Sequence, residues 1–191
     1  DLAEMMNLGG DERIYPASMT KIMTALLTIE NLPDLNETIT VPEDIFEELT
    51  AQDASVAGFN PYEQPTVRDL LYGVLLPSGA DACETLARAV GGSEEGFVAM
   101  MNQKAEELGL TNTHFENCTG LHNDNHYSTC RDIAVLMSEC LKSDTFREIV
   151  TREVYTTEAT ASHPEGITLY DTMLHRFTSY EMSTTLENGA V

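Results

Sequence analysis

The chain has 191 residues, 42% of them hydrophobic, which is enough for one domain with a core of its own and too little for two. Its 32 acidic residues against 10 basic ones give a formal net charge of -22, which argues against nucleic acid or an anionic lipid surface as a direct partner. No apolar run has the length of a bilayer span, no signal segment opens the chain, and Asp1 in place of Met leads us to expect a processed or truncated start.

From Asp1 to Ile14 there is little periodicity, and Gly9-Gly10-Asp11 reads as a turn. Pro16, with its fixed φ and missing donor, suits a helix that begins at Ala17 or Ser18 and runs to about Asn31, where Pro33 stops it. Ile22, Met23, Ala25, Leu26, Leu27 and Ile29 fall on nearly every side of that helix, so it belongs in the middle of a domain. Lys21 sits among them, and burying an ammonium is costly unless something pairs with it or removes its proton. Ser18, three residues before, shares its face. The dipole at the helix start disfavours the protonated amine, and free N–H groups there can hold an oxyanion. A serine nucleophile with a lysine base in one turn is the chemistry this spacing suggests.

Further along, Glu37–Val41 and Ala54–Phe59 alternate as short strands, expected to form a small hairpin, with a helix start at Pro42-Glu43-Asp44 between them. Thr66 opens a strong helix carrying Val67, Leu70, Leu71, Val74 and Leu75 and ending at Pro77. A second helix follows from Gly79 to Val90, and a third is capped by Ser93 and ends at Gly109. Between the first two, Pro77-Ser78-Gly79 forms a tight turn: Ser78 is either the N-cap of the next helix or a hydroxyl pushed into a cleft beside Ser18 and Lys21. Leu110–Tyr127 is a long polar loop, and a compact domain seldom keeps one without a use. Helices resume over Thr129–Leu141 and from Ser143 to Val150, followed by short strands at Glu153–Thr157 and Ile167–Tyr170 and a polar tail.

Cys83 and Cys140 sit at helical core positions, and a Cys118–Cys130 pairing stays open. His114, Cys118, His122, Asp124 and His126 contain metal-ligating residue types. Their setting in an Asn-rich loop, without a helix to align ligands four apart, is a poor zinc site, and no metal is expected.

The segments Pro16-Ala-Ser-Met-Thr-Lys21, Thr66 to Ala82, Met101 to Leu110 and Gly120 to Thr129 closely resemble the D-alanyl-D-alanine carboxypeptidases, the low-molecular-mass penicillin-binding proteins, over about Ile14 to Val150. The resemblance implies an α/β fold of the serine beta-lactamase/transpeptidase-like kind, an antiparallel sheet against a helical cluster. It implies Ser18 as the acylated nucleophile, Lys21 as its base and Ser78 as the relay to the leaving D-alanine, with Gly79, Ala80 and His126 on the substrate side. The implied partners are peptidoglycan stem peptides ending in D-Ala-D-Ala and beta-lactam antibiotics, met outside the cytoplasmic membrane without a cofactor. A membrane anchor would lie beyond these residues.

Two departures stand against that pattern. Ala80 replaces a common Asn, and no Lys-Thr-Gly or Lys-Ser-Gly triplet occurs. The chain is therefore expected to be a single but incomplete catalytic domain, mainly its helical part, with much of the sheet missing, apolar surface open beside Ser18 and negligible turnover alone. A non-catalytic peptidoglycan-binding or penicillin-binding module is one alternative. A class A-like beta-lactamase is another, weakened by the absence of a Glu-x-x-Leu-Asn loop.

Overall fold

A computed structural model describes residues 8–173. The expectations for Asp1 to Asn7 and for the tail from Leu174 to Val191 lie outside those residues. Seven α-helices dominate the described part: α1 (Lys21–Asn31), α2 (Ile45–Ala51), α3 (Val67–Leu75), α4 (Ala80–Gly91), α5 (Glu94–Glu107), α6 (Cys130–Cys140) and α7 (Asp144–Val150). Strand β1 (Arg13–Ile14) pairs antiparallel with β2 (Ser128–Thr129), and β3 (Val154–Thr156) pairs antiparallel with β4 (Thr168–Tyr170).

The helix boundaries follow from local chemistry. Thr66 starts α3 through a reciprocal box, its Oγ1 accepting from Asp69 N while the Asp69 carboxylate accepts from Thr66 N. Ser93, Thr129 and Ser143 cap α5, α6 and α7 in the same one-sided way, each accepting from the N–H three residues on. Asp69 is fully buried and also accepts from Tyr155 Oη at 2.9 Å and Glu158 N at 3.2 Å. With Tyr72 and Tyr155 stacked at 3.7 Å, it fastens the β3–β4 hairpin to the helical body.

Helix α1 is the axis of the core. It packs against α3, α4, α5, α6 and α7, which bury Met23, Ala25, Leu26 and Leu27. The apolar surface expected to be open beside Ser18 is therefore not on α1: helices cover it on more than one side, and only Ile22 and Ile29 among its apolar residues are partly exposed. The apolar surface near Ser18 comes instead from Tyr15 and Met19, 55% and 40% exposed, in the turn before the helix.

The proposed hairpin is also corrected. The segment 37–41 runs beside 62–67, with Ile39 N donating to Pro65 O, Val41 N to Glu63 O and Val67 N to Glu37 O. Residues 54–59 form no strand. The Asp81 carboxylate, buried at the start of α4, accepts from the N–H groups of Ala57, Gly58 and Phe59 at 2.7, 2.9 and 3.1 Å, and that interaction overrides their alternation. The four cysteines are free thiols; Cys118 is buried and Cys130 exposed, so the open Cys118–Cys130 pairing is not made.

Candidate active site

Ser18 is exposed on a single 3-10 turn, Ala17–Thr20, that leads directly into α1. Ala17 takes φ +49°, a left-handed conformation that costs an L-residue about 1 kcal/mol and turns the chain sharply just before the serine. Lys21 follows, only 6% exposed, and its Nζ donates to Thr119 O at 2.6 Å. One turn deeper, Thr24 Oγ1 donates to Cys118 O at 2.7 Å. Among the described residues no carboxylate forms an ion pair with Lys21.

The loop that supplies those carbonyls comes very close. Gly120 has φ +85°, and a Cβ there would lie 1.9 Å from Ala17 O, so only glycine lets the loop lie on the serine turn. His126 completes the attachment: its Nδ1 accepts from Glu116 N at 3.1 Å, which assigns the ring proton to Nε2, and Nε2 donates to Thr20 Oγ1 at 2.7 Å. Burial pushes the His126 pKa down to about 4, with the Glu116 charge opposing, so the ring is neutral at ordinary pH.

The second serine sits in the turn between α3 and α4. Ser78 takes φ +61°, and the N-cap position of α4 belongs to Gly79, which makes no side-chain cap; the plain N-cap reading of Ser78 is therefore wrong. Its Oγ is buried without a hydrogen-bond partner, the one such side-chain atom among the described residues. Gly79 is held so tightly that a Cβ would lie 2.7 Å from Ala57 N, and Ala80 is buried with its N–H on Ser55 O at 2.7 Å. Helix α1, which follows the first turn, packs against α4, which follows the second. Burial pushes the thiol of Cys83, in the first turn of α4, up to about 12, while the Lys21 ammonium lies close enough to oppose that rise.

The sequence pointed to Ser18, Lys21, Ser78, Gly79, Ala80 and His126. It missed Thr20, Thr119 and Gly120. One signal was available, since a lysine entering a buried helix requires a partner; that partner turned out to be a backbone carbonyl, which carries no residue signature. The histidine side chains of the 114–126 segment have partners of their own. Both ring nitrogens of His126 are taken, His114 faces Glu116, and His122 faces Asp124.

Two hollows lie nearby, and neither is lined by Ser18, Lys21 or Ser78. One of about 60 Å³ is bounded by Tyr15, Ala17, Gly120, His122 and His126, on the elbow before the serine. A larger cavity of about 250 Å³ is lined by Glu48, Glu84, Arg88, Glu94, Glu116 and His122. In its wall, burial and the neighbouring Glu94 push the Glu84 carboxyl up to about 8. Ser18 itself stands on an open face.

The fold has clear counterparts. The crystal structure of a Streptomyces DD-transpeptidase superposes with a TM-score of 0.81 at 34% identity, covering 88% of this chain and 68% of that one. Penicillin binding protein 6B from Escherichia coli superposes at 0.75 with 29% identity, over 84% and 51%. These neighbours define the class as the serine beta-lactamase/transpeptidase-like fold, here helix-rich with short antiparallel strands.

The family described as D-alanyl-D-alanine carboxypeptidase matches residues 5–176, and the chain belongs to it. It is 40% identical over 157 residues to the D-alanyl-D-alanine carboxypeptidase DacF of Bacillus subtilis, a match that takes in 82% of this chain and 40% of the relative. For DacC of Escherichia coli the figures are 41% identity over 132 residues, 66% of this chain and 33% of the relative. The chain thus spans about a third to two fifths of the length of these relatives.

Proposed function

We propose that this chain carries the nucleophile half of a serine-type D-alanyl-D-alanine carboxypeptidase, acting on peptidoglycan stem peptides outside the cytoplasmic membrane. Ser18 Oγ attacks the carbonyl of the terminal peptide bond while Lys21 Nζ takes its proton; the C–N bond breaks, and Ser78 passes a proton to the departing D-alanine amine. Water then cleaves the acyl ester on Ser18. Penicillins acylate the same oxygen.

The observation that carries this reading is the state of Lys21, a buried lysine one turn after an exposed serine, held by a neutral carbonyl instead of a carboxylate. Among the described residues no carboxylate ties up Nζ, so the group one turn from the serine is engaged by a single carbonyl. The orphaned Ser78 hydroxyl supports it, since a buried polar group without a partner is expected where a ligand completes the bonding. His126 is spent on Glu116 and Thr20, so we assign it the positioning of the Ser18 turn in place of a direct substrate contact.

The test is labelling by a fluorescent penicillin, with mass mapping of the adduct and an assay of D-alanine release, on the protein expressed from its whole gene. An adduct on Ser18 together with D-alanine release is the expected result; an adduct on Ser78 or a cysteine overturns it. The non-catalytic module is favoured by Ala80, whose buried methyl offers no hydrogen bond. Ser18 labelling without D-alanine release would select it. The 191 residues contain no Lys-Thr-Gly or Lys-Ser-Gly triplet to bind a substrate carboxylate, and expressed alone they should release D-alanine at a rate lower by a factor of roughly a hundred or more.

A further inference from the structure

We infer that Glu84, Glu94 and Cys118 form a binding site for a divalent cation of the zinc class, with three protein ligands and the remaining coordination position turned toward the cavity that Glu84 and Glu94 line. The three residues come from separate parts of the fold: Glu84 from within α4, Glu94 from the first position of α5, and Cys118 from the loop that lies on the Ser18 turn. One ligand atom from each lies within 4.8 Å of the others. Cys118 Sγ and Glu84 Oε1 are 3.4 Å apart. A tetrahedral zinc ion with bonds of about 2.3 Å to sulfur and about 2.0 Å to oxygen separates such a pair by about 3.5 Å, so Cys118 and Glu84 already stand at the required separation and Glu94 is the ligand that moves in to close on the ion.

The surroundings favour a cation independently of that spacing. Glu84 and Cys118 are 8% and 0% exposed, so once an ion has displaced their protons water screens the attraction weakly. Glu48 and Glu116 add two more carboxylates to the same cavity. Arg88 is the one basic side chain in its lining; it reaches Glu84 only at 3.8 Å and forms its short ion pair, 2.6 Å, with Asp44. Four acids thus line a cavity of about 250 Å³ whose one arginine makes its short ion pair elsewhere. A sulfur among the ligands selects a borderline-soft ion over magnesium or calcium, which take oxygen alone. The cavity leaves room for water or another small ligand on the open position, where His122 is also at hand.

Binding forms one metal–sulfur and two metal–oxygen bonds and breaks the Cys118 S–H bond and, at neutral pH, the O–H bond of the Glu84 carboxyl; both protons leave to solvent, and no electron is transferred. The position of Cys118 gives the site its reach. Its own carbonyl accepts from Thr24, and the next carbonyl, that of Thr119, accepts from Lys21. An ion on Cys118 therefore fixes the loop on which Lys21 rests. The inference about binding stands whether or not Ser18 is acylated.

The experiment titrates the 191-residue chain, reduced and freed of metal, with Co²⁺ and then Zn²⁺. One equivalent of Co²⁺ should bring up the visible bands of a four-coordinate ion and a thiolate charge-transfer band in the near ultraviolet, both bleached by Zn²⁺. Cys118→Ser should abolish the charge-transfer band, and Cys130→Ser, at the exposed thiol, should leave it intact. Glu94→Gln and Glu84→Gln should each weaken zinc binding at least about tenfold, the scale on which even outer supporting groups act. Glu94 is only half-buried, so its variant keeps the test decisive if a change at Glu84 or Cys118 disturbs folding, as far-ultraviolet circular dichroism will show. Absence of one-equivalent binding, a charge-transfer band that survives Cys118→Ser or needs Cys130, or unchanged affinity in Glu94→Gln would overturn the site.

Discussion

The two serine-bearing turns differ in how completely the protein bonds them. After Ser18 three polar side chains in succession have fixed partners: Thr20 holds His126, Lys21 holds Thr119 O, and Thr24 holds Cys118 O. Around Ser78 the backbone is fixed just as firmly, through Gly79 N on Gly73 O and Ala80 N on Ser55 O, yet the hydroxyl has nothing. The first turn is held through side chains by one loop, and the second is held through the backbone so that one side chain stays unused. Rigid placement of a nucleophile and an unspent proton carrier are different requirements, and the two turns meet them by opposite means.

The comparison breaks most severely at Lys21. Lys21→Ala should lower the acylation rate by a factor of roughly a hundred to ten thousand, and Lys21→Arg should be nearly as damaging, because a guanidinium keeps its proton. Penicillin acylation followed by stopped flow separates them; a rapid Arg variant would make Lys21 a charge and not a base.

Next comes the loop that holds the first turn. Gly120→Ala puts a Cβ 1.9 Å from Ala17 O at a positive φ, and we expect a loss of about 3 kcal/mol in unfolding free energy, readable as a lower urea midpoint. A wild-type midpoint would mean that the loop can lift off the turn without cost.

His126 sharpens the same point through pH. Its folded pKa, about 4, lies below the ordinary 6.5, so as pH falls the unfolded chain takes up a proton before the folded chain does. Stability from this group is complete above about pH 6.5, declines between there and about pH 4, and is then level, a loss of about 3 kcal/mol. His126→Gln should flatten that part of the stability curve measured by urea unfolding; an unchanged slope would mean that His126 is not buried neutral.

The smallest effect belongs to the second turn and has the opposite sign. Ser78→Gly removes both the φ +61° strain and the orphaned hydroxyl, and should stabilise the fold by up to about 1 kcal/mol while slowing acyl transfer. Thermal unfolding and acylation rates on the one variant decide this, and a destabilised Ser78→Gly would show that the hydroxyl serves the fold.

Sequence reading succeeded where structure is set by neighbours along the chain. The caps at Thr66, Ser93 and Ser143 and the apolar periodicity of α3 are local signals, and those helices begin where the signals fall. It failed where a distant group overrides local preference. The alternation of Ala54–Phe59 gave no hint that Asp81 would take three of its N–H groups, and Ser78 resembled a cap because a serine stands just before a helix, whereas the cap position falls on Gly79. Within the candidate site, the Ser18 and Lys21 spacing was legible, and so was their likeness to a known family. The contacts that fix them are backbone carbonyls and a threonine–histidine pair, which no single position announces.

Those contacts also order events in time. Thr20–His126, Lys21–Thr119 and Thr24–Cys118 join residues 106, 98 and 94 positions apart. Closing a loop of about 100 residues costs about 2 kcal/mol more in chain entropy than closing one of about 10, whereas a helical turn forms in well under a millisecond. The Ser18 turn and α1 can therefore form early, but the anchorage of Lys21 must wait until the chain through His126 has been made and folded back. A growing chain would display the serine long before the lysine is seated beside it, so reactivity arrives as one of the last steps of folding and not with the motif itself.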